Sequence, residues 1–296
     1  MRRFTLPFGE LKENDFVALN RHSYVDYIAD PDRSCAITVH RGDWRAAPEN
    51  SLLAIERAIS DGYDVVEIDV RRSSDGEFFL LHDDTLERMT GLDQEPEALT
   101  LQQLSSLRLR NRDGGEANPL TDEKLPSLRQ VFDLARDRIF IHLDIKHKEI
   151  IPGVIAYARA AGMDRRVDFW SAVKTDEDLK WVYKEVLPHR VPFIAKTRLE
   201  EPDAETQLEL VFKLKPFVCE ITFARLQQVA ELKDRFNEAG IALWANTLDS
   251  VTCAGFTDTA ALKDPAAIWG RLIDAGVSAI QTDEPEALKT YLGTRA

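Results

Sequence analysis

Residues 40–84 read HRGDWRAAPENSLLAIERAISDGYDVVEIDVRRSSDGEFFLLHDD, and their order decides the fold. Ile37 to His40 is a short apolar run that ends at Arg41-Gly42, the signature of a buried strand. Pro48-Glu49-Asn50-Ser51 then offers helix caps in Ser51 or Asn50, and Leu52, Ile55, Ala58 and Ile59 recur at helical spacing up to Gly62. Val65 to Val70 is β-branched and reads as a second strand. Strand, helix and strand make a βαβ unit, so the sheet is expected to be parallel. Asp75-Gly76 is a tight-turn dipeptide followed at once by the apolar run Phe78–Leu81. A parallel neighbour needs a crossover of about a dozen residues, which this connection lacks. Phe78–His82 is therefore expected to be the return arm of a hairpin that hangs His82 beside Glu67 and Asp69.

Working outward, strands and helices alternate. Strands are expected at Ile139–Ile145, Val167–Ser171, Pro192–Ala195, Phe217–Thr222, Ile241–Asn246 and Ala279–Thr282. Helices are expected near 149–161, 176–187, 204–214, 225–238 and 266–275, with another from Pro126-Ser127 through Ala135 and a last one from Pro285 to Tyr291. Leaving out the hairpin arm, the strands predict a closed (β/α)₈ barrel of the TIM type over residues 36–296, a single α/β domain. No glycine-rich phosphate loop follows any strand, which argues against an open dinucleotide-binding sheet. Residues 1–35 read as an N-terminal extension, a strap or cap on the barrel. Residues 83–125 read as a polar insertion over the mouth, with one helix at Leu101–Leu107 and a loose loop at 111–115.

The chain has 296 residues, 44% hydrophobic and 30% charged, an ordinary soluble mixture with a formal charge of −13. That charge, without any basic stripe, argues against a nucleic-acid surface but not against a phosphate ligand. No run approaches a membrane span, and the first residues lack the apolar core of a signal peptide. Cys35, Cys219 and Cys253 are an odd number without zinc-like pairing, so reduced thiols and a cytoplasmic setting are expected. Nothing in the sequence sets an oligomeric state.

Glu67 and Asp69 are two residues apart on one strand and so share a face. Carboxylates turned into an apolar barrel need an inward Arg or Lys, or a hard divalent cation. His142, Asp144 and Lys146 repeat the pattern: Asp144 could add a third carboxylate, and Lys146 could hold a phosphate oxygen or simply pair with Asp144. His40 and His82, each closing an apolar run, are the candidate proton carriers. His142 lies deeper and reads as a hydrogen-bonded core histidine; His147 reads as facing away, and His22 and His189 have no constellation around them. Trp244 and Asn246 share a face and suggest an aromatic wall with an amide, barrel packing being the plainer reading of Trp244. Asp283, ahead of Pro285, reads as a cap on the last helix.

Taken together, His40-Arg41-Gly42, Pro48-Glu49-Asn50-Ser51, Glu67-Ile-Asp69, Asp75-Gly76, His82-Asp83, Arg88, Leu143-Asp144-Ile145-Lys146, Trp244-Ala-Asn246 and Thr282-Asp283-Glu284-Pro285 resemble the glycerophosphodiester phosphodiesterase family, over residues 37–290. The resemblance implies metal-dependent hydrolysis of glycerophosphodiesters to sn-glycerol 3-phosphate and an alcohol, part of lipid and glycerol metabolism. It implies one Mg²⁺ or Ca²⁺ on Glu67, Asp69 and Asp144, His40 and His82 as the acid–base pair, and Arg41 with Lys146 on the phosphate. In that chemistry the attacking oxygen can be the neighbouring glycerol hydroxyl, giving a cyclic phosphate that water opens. Asp144 departs from the Glu that most members carry, and related sphingomyelinase D-type enzymes often have Asp there. Two alternatives stay open: a phosphodiesterase or phospholipase D-like enzyme acting on another diester, such as a lysophospholipid or sugar-phosphate diester, and a barrel that binds a phosphorylated ligand without turning it over.

Overall fold

The computed structural model describes residues 23–251 and 253–295. Helix α1 (Tyr24–Ala29) precedes β1 (Ala36–Val39), α2 (Leu52–Ser60), β2 (Val65–Arg72) and β3 (Phe78–Leu80). The insertion carries α3 (Glu87–Thr90), α4 (Leu101–Leu104), β4 (Arg108–Arg110) and β5 (Leu120–Lys124). Regular alternation follows: α5 (Leu128–Ala135), β6 (Phe140–Ile145), α6 (Ile151–Ala160), β7 (Val167–Ala172), α7 (Asp176–Glu185), β8 (Phe193–Arg198), α8 (Ala204–Leu214), β9 (Val218–Thr222), α9 (Leu226–Ala239) and β10 (Ala242–Asn246). After α10 (Asp258–Lys263) and α11 (Arg271–Asp274) come β11 (Val277–Thr282) and α12 (Pro285–Arg295).

Strands β1, β2 and β6 to β11 pair in parallel in the cyclic order 1-11-10-9-8-7-6-2, and the β1–β2 pairing closes the barrel. This is the expected (β/α)₈ architecture. β3 pairs antiparallel with β2, Val70 opposite Leu80 and Arg72 opposite Phe78, so the return arm is as the Asp75-Gly76 turn predicts. Ser51 caps α2, its hydroxyl accepting from the Ala54 N–H at 3.0 Å. Asn50 is thereby released for another task.

Three expectations need correction. The helix expected over Leu101–Leu107 stops at Leu104, because the chain turns out into β4. The loose loop sits inside a β4–β5 hairpin, which the sequence hides because β5 alternates only between exposed and half-exposed positions. The helix expected over 266–275 is a π-helical turn over 266–270 followed by α11, and α10 precedes it unannounced.

The barrel's N-terminal end is closed. Tyr24 and Ile28 of α1 pack on Phe140, Val65, Ile194, Val218 and Trp244, and the Tyr24 and Phe140 rings stack at 4.8 Å. Burying one such side chain contributes about 1.5–3 kcal/mol. This part of the N-terminal extension is a cap; residues 1–22, with His22, lie outside the described residues. The insertion has its own small core of Phe79, Leu81, Leu86, Met89, Leu104, Leu109 and Leu125, which anchors it beside the open end.

Candidate active site

The C-terminal ends of the strands converge on a cleft of about 200 Å³. Strand register sets its floor: Glu67 on β2 lies opposite His142 on β6, and Asp69 lies opposite Asp144. Oxygens of Glu67, Asp69 and Asp144 all fall within 4.8 Å of one another. Asp69 is buried, and Asn50 holds it from both sides, its Nδ2 donating to Asp69 Oδ2 at 2.6 Å and its Oδ1 accepting from the Asp69 N–H at 3.0 Å. The sequence offered Asn50 only as a helix cap; its φ of 56° turns it inward instead.

His40 directly follows β1 and His82 follows β3. His40 Nδ1 lies 2.8 Å from Asp283 Oδ1, and His82 Nδ1 lies 2.8 Å from Asp83 Oδ1. A carboxylate can only accept, so each Nδ1 carries the proton and each Nε2 is left for proton exchange. Asp283 also accepts from the Trp44 indole at 3.0 Å, so it is a histidine partner rather than a helix cap. Burial pulls the His40 pKa down, but the Asp283 hydrogen bond and the charges of Glu67 and Asp283 outweigh it and leave it raised.

Arg41 has a φ of 54°, a strained conformation for a residue with a side chain, and its N–H donates to Glu67 Oε2 at 2.9 Å. Gly42, next in line, has a φ of +78°, and a Cβ there would meet Ala54 at 2.8 Å. The guanidinium of Arg41 lies 3.3 Å from Asp69 and 3.1 Å from Glu49. Lys146 stands between Asp69 and Asp144, 2.6 Å from each. The Asp144–Lys146 pair thus forms and extends to Asp69.

The electrostatics are divided. Burial first, then the charges of Asp69 and Asp144, push the Glu67 carboxyl up to about 7. Asp69 is buried too, but Lys146, Arg41 and His82 hold it below the usual carboxylate range. Closely spaced hard oxygen donors, one with its carboxyl pushed up by burial and by its acidic neighbours, fit a hard divalent cation whose charge would favour the ionised forms. Glu67, Asp69 and Asp144 could therefore hold a metal ion.

The opposite wall was less legible. Lys196 on β8 pairs with Glu220 on β9 at 2.6 Å, and Asn246 Nδ2 donates to Glu220 at 3.0 Å. Trp170 on β7 donates its indole N–H to Asp144 at 3.1 Å and lines the cleft. Trp244 does not: it is 1% exposed and packs in the closed end, donating to Asn246 Oδ1 at 2.6 Å. The expected aromatic wall is Trp170, because Trp244 sits two residues deeper than Asn246. The charges inside the apolar strands FIAKTR and VCEIT were the signal for Lys196 and Glu220. His142 is a hydrogen-bonded buried histidine, 2.7 Å from Asp168, that also borders the cleft. His147 lies 3.4 Å from Glu97, outside the cleft.

The fold is a closed parallel barrel of the TIM type, which gathers paired histidines, a carboxylate cluster and cations at its mouth. Over 259 residues the chain is 28% identical to a glycerophosphodiester phosphodiesterase of Caldanaerobacter subterraneus subsp. tengcongensis, covering 85% of this chain and 95% of that one. It matches human glycerophosphodiester phosphodiesterase 1 at 38% identity over 122 residues, only 34% of that protein's length. A solved glycerophosphoryl diester phosphodiesterase of Parabacteroides distasonis shares the fold with a TM-score of 0.72 at 22% identity, over 92% of each chain. A phosphodiesterase of Oleispira antarctica, solved with the product sn-glycerol-3-phosphate, has a TM-score of 0.63 at 22% identity, over 88% of this chain and 97% of that one. A family model described as a domain of unknown function, DUF4996, matches residues 193–292. Relatives and solved structures alike bear the name glycerophosphodiester phosphodiesterase, and this chain shares the TIM-barrel fold of those structures over most of its length.

Proposed function

We propose that this enzyme hydrolyses glycerophosphodiesters to sn-glycerol 3-phosphate and an alcohol. The observation that carries the reading is the pair His40 and His82, brought from separate elements to one cleft, each with its Nδ1 on an aspartate. Ligand binding alone does not call for two oriented proton carriers. His40 Nε2 takes the proton from the attacking oxygen as it bonds to phosphorus. His82, entering this step as the imidazolium with its Nδ1–H on Asp83, gives its Nε2 proton to the alkoxide as the bond from phosphorus to the leaving oxygen breaks. Arg41 and Lys146 face the non-bridging oxygens, where fixed positive charge is most effective. A divalent cation on Glu67, Asp69 and Asp144, Mg²⁺ or Ca²⁺, would add Lewis-acid charge stabilisation to the same oxygens. The shorter Asp144 still brings its oxygen within the acidic cluster, which supports its place in that set. The free, buried Cys35, Cys219 and Cys253 support a cytoplasmic setting.

Choline release from glycerophosphocholine, measured with Mg²⁺, Ca²⁺ and Mn²⁺, tests the reading. Turnover that stops on chelation and in Glu67→Gln is expected; full turnover in excess EDTA would refute the metal's part.

A further inference from the structure

Arg88, on α3 of the insertion, is not among the groups that would touch substrate, yet it stands between two that would. Its Nη2 lies 2.6 Å from Glu49 Oε1 and its Nη1 3.0 Å from Glu49 Oε2. On its other edge, Nε lies 2.6 Å from Asp83 Oδ2 and Nη2 lies 2.9 Å from Asp83 Oδ1. Glu49 in turn accepts from Arg41, and Asp83 accepts from His82. The contacts therefore run without a break from the phosphate-facing cation to the exposed catalytic histidine: Arg41, Glu49, Arg88, Asp83, His82.

We propose that Arg88 is a positioning residue whose guanidinium, locked between Glu49 and Asp83, holds Arg41 and His82 at a fixed separation across the cleft. The proposal rests on the roles given to Arg41 and His82 above. Its physical basis is geometric. Glu49 is 3% exposed and sits between two guanidiniums, so it cannot shift without leaving a buried charge unpaired. A planar fork can engage two carboxylates through two edges at once; a lysine, a single point charge, cannot. His82 is 40% exposed and rides on a hairpin arm, so it needs an outside anchor more than His40 does. The insertion supplies that anchor and clamps it. The Asp113 carbonyl accepts from Arg88 Nη1, the Gly115 N–H donates to the Arg88 carbonyl at 2.7 Å, and a Cβ on Gly114 would meet that carbonyl at 2.6 Å. Residues 83–125 thus serve the chemistry through Arg88 and are more than a cover.

The experiment compares Arg88→Gln and Arg88→Lys with Arg138→Gln, which removes a bidentate pair to Glu56 on the barrel's flank. Turnover of glycerophosphocholine reads the His82 side, and calorimetric binding of inorganic phosphate reads the Arg41 side. Both Arg88 variants are expected to lose about 10–100-fold in kcat and about tenfold in phosphate affinity, since misplacement by about an ångström costs that much. Arg138→Gln is expected to change neither constant. Should Arg88→Gln fail to fold, Arg88→Lys, which keeps the charge, carries the comparison. Loss of stability with both constants unchanged, or a loss on one side alone, overturns the proposal. A wild-type protein that binds phosphate but turns over no glycerophosphodiester would refute the function instead, while the phosphate arm still decides whether Arg88 holds Arg41.

Discussion

The two ends of this barrel are built by the same strands and do opposite things. At the N-terminal end, Ala36, Val65, Phe140 and Val218 start their strands and, with Ala279 of β11, pack with Tyr24 and Trp244 into a dry plug. At the other end, a few residues along, β2, β6, β8 and β9 present Glu67, Asp69, Asp144, Lys196 and Glu220. β10 shows both in three residues: Trp244 faces inward and is buried, and Asn246, on the same face, reaches the cleft. Depth along the strand, not direction across it, separates packing from chemistry. Apolar burial stabilises the plug, and that stability offsets the cost of crowded charge at the mouth.

If this division holds, damage to the mouth should cost rate without stability. His40→Ala and His82→Ala are each expected to lower kcat by roughly 10²–10⁴-fold while thermal unfolding stays near wild type. Wild-type turnover in either variant would remove that histidine from the mechanism. Damage to the plug should do the reverse. Phe140→Ala opens a cavity at a fully buried site and is expected to cost about 3–5 kcal/mol in chemical denaturation, with kcat of the folded protein near wild type. A large fall in kcat at unchanged stability would show that the two ends are not separable.

His142 lies on the boundary. Burial alone would lower its pKa, but Asp168, then Glu67 and Glu220, push it up to about 9. The folded value exceeds the unfolded value of 6.5, so protonation stabilises the fold. That contribution is complete below the unfolded value and is lost as pH rises through about 9. Thermal stability is therefore expected to fall by an amount on the order of a few kcal/mol across this window, and to fall less in His142→Asn. A flat wild-type profile would contradict a charged His142.

The smallest expected effect concerns Asp283. Its charge helps raise the His40 pKa, so Asp283→Asn should lower it and move the acid limb of kcat/KM to lower pH. A loss of about tenfold in kcat is expected from the loosened imidazole. An acid limb that stays in place would separate Asp283 from the base.

Much of this was legible in the sequence. The βαβ unit over 37–70 specified a parallel sheet, and eight strands alternating with helices out to Thr282 specified a barrel. The brevity of the Asp75-Gly76 turn specified an antiparallel arm, because no crossover fits in it. Residues two apart on a strand had to share a face, which placed Glu67 with Asp69, and Asp144 with Lys146. What the sequence could not convey was partnership between distant elements. Asn50 looked like a cap until its amide met Asp69, and Asp283 looked like a cap until its carboxylate met His40. Arg88 carried no reading of its own until the insertion folded it between Glu49 and Asp83. Nor could a two-residue period tell how deep Trp244 lies. Local pattern alone determined the barrel's strands and most of its helices, and which side chains can meet along one strand. Only closure of the barrel decided which strand ends stand opposite one another, and so that Asp283 serves His40, 243 positions away. Long-range contacts depend on strand register and helix packing, which local propensity does not encode.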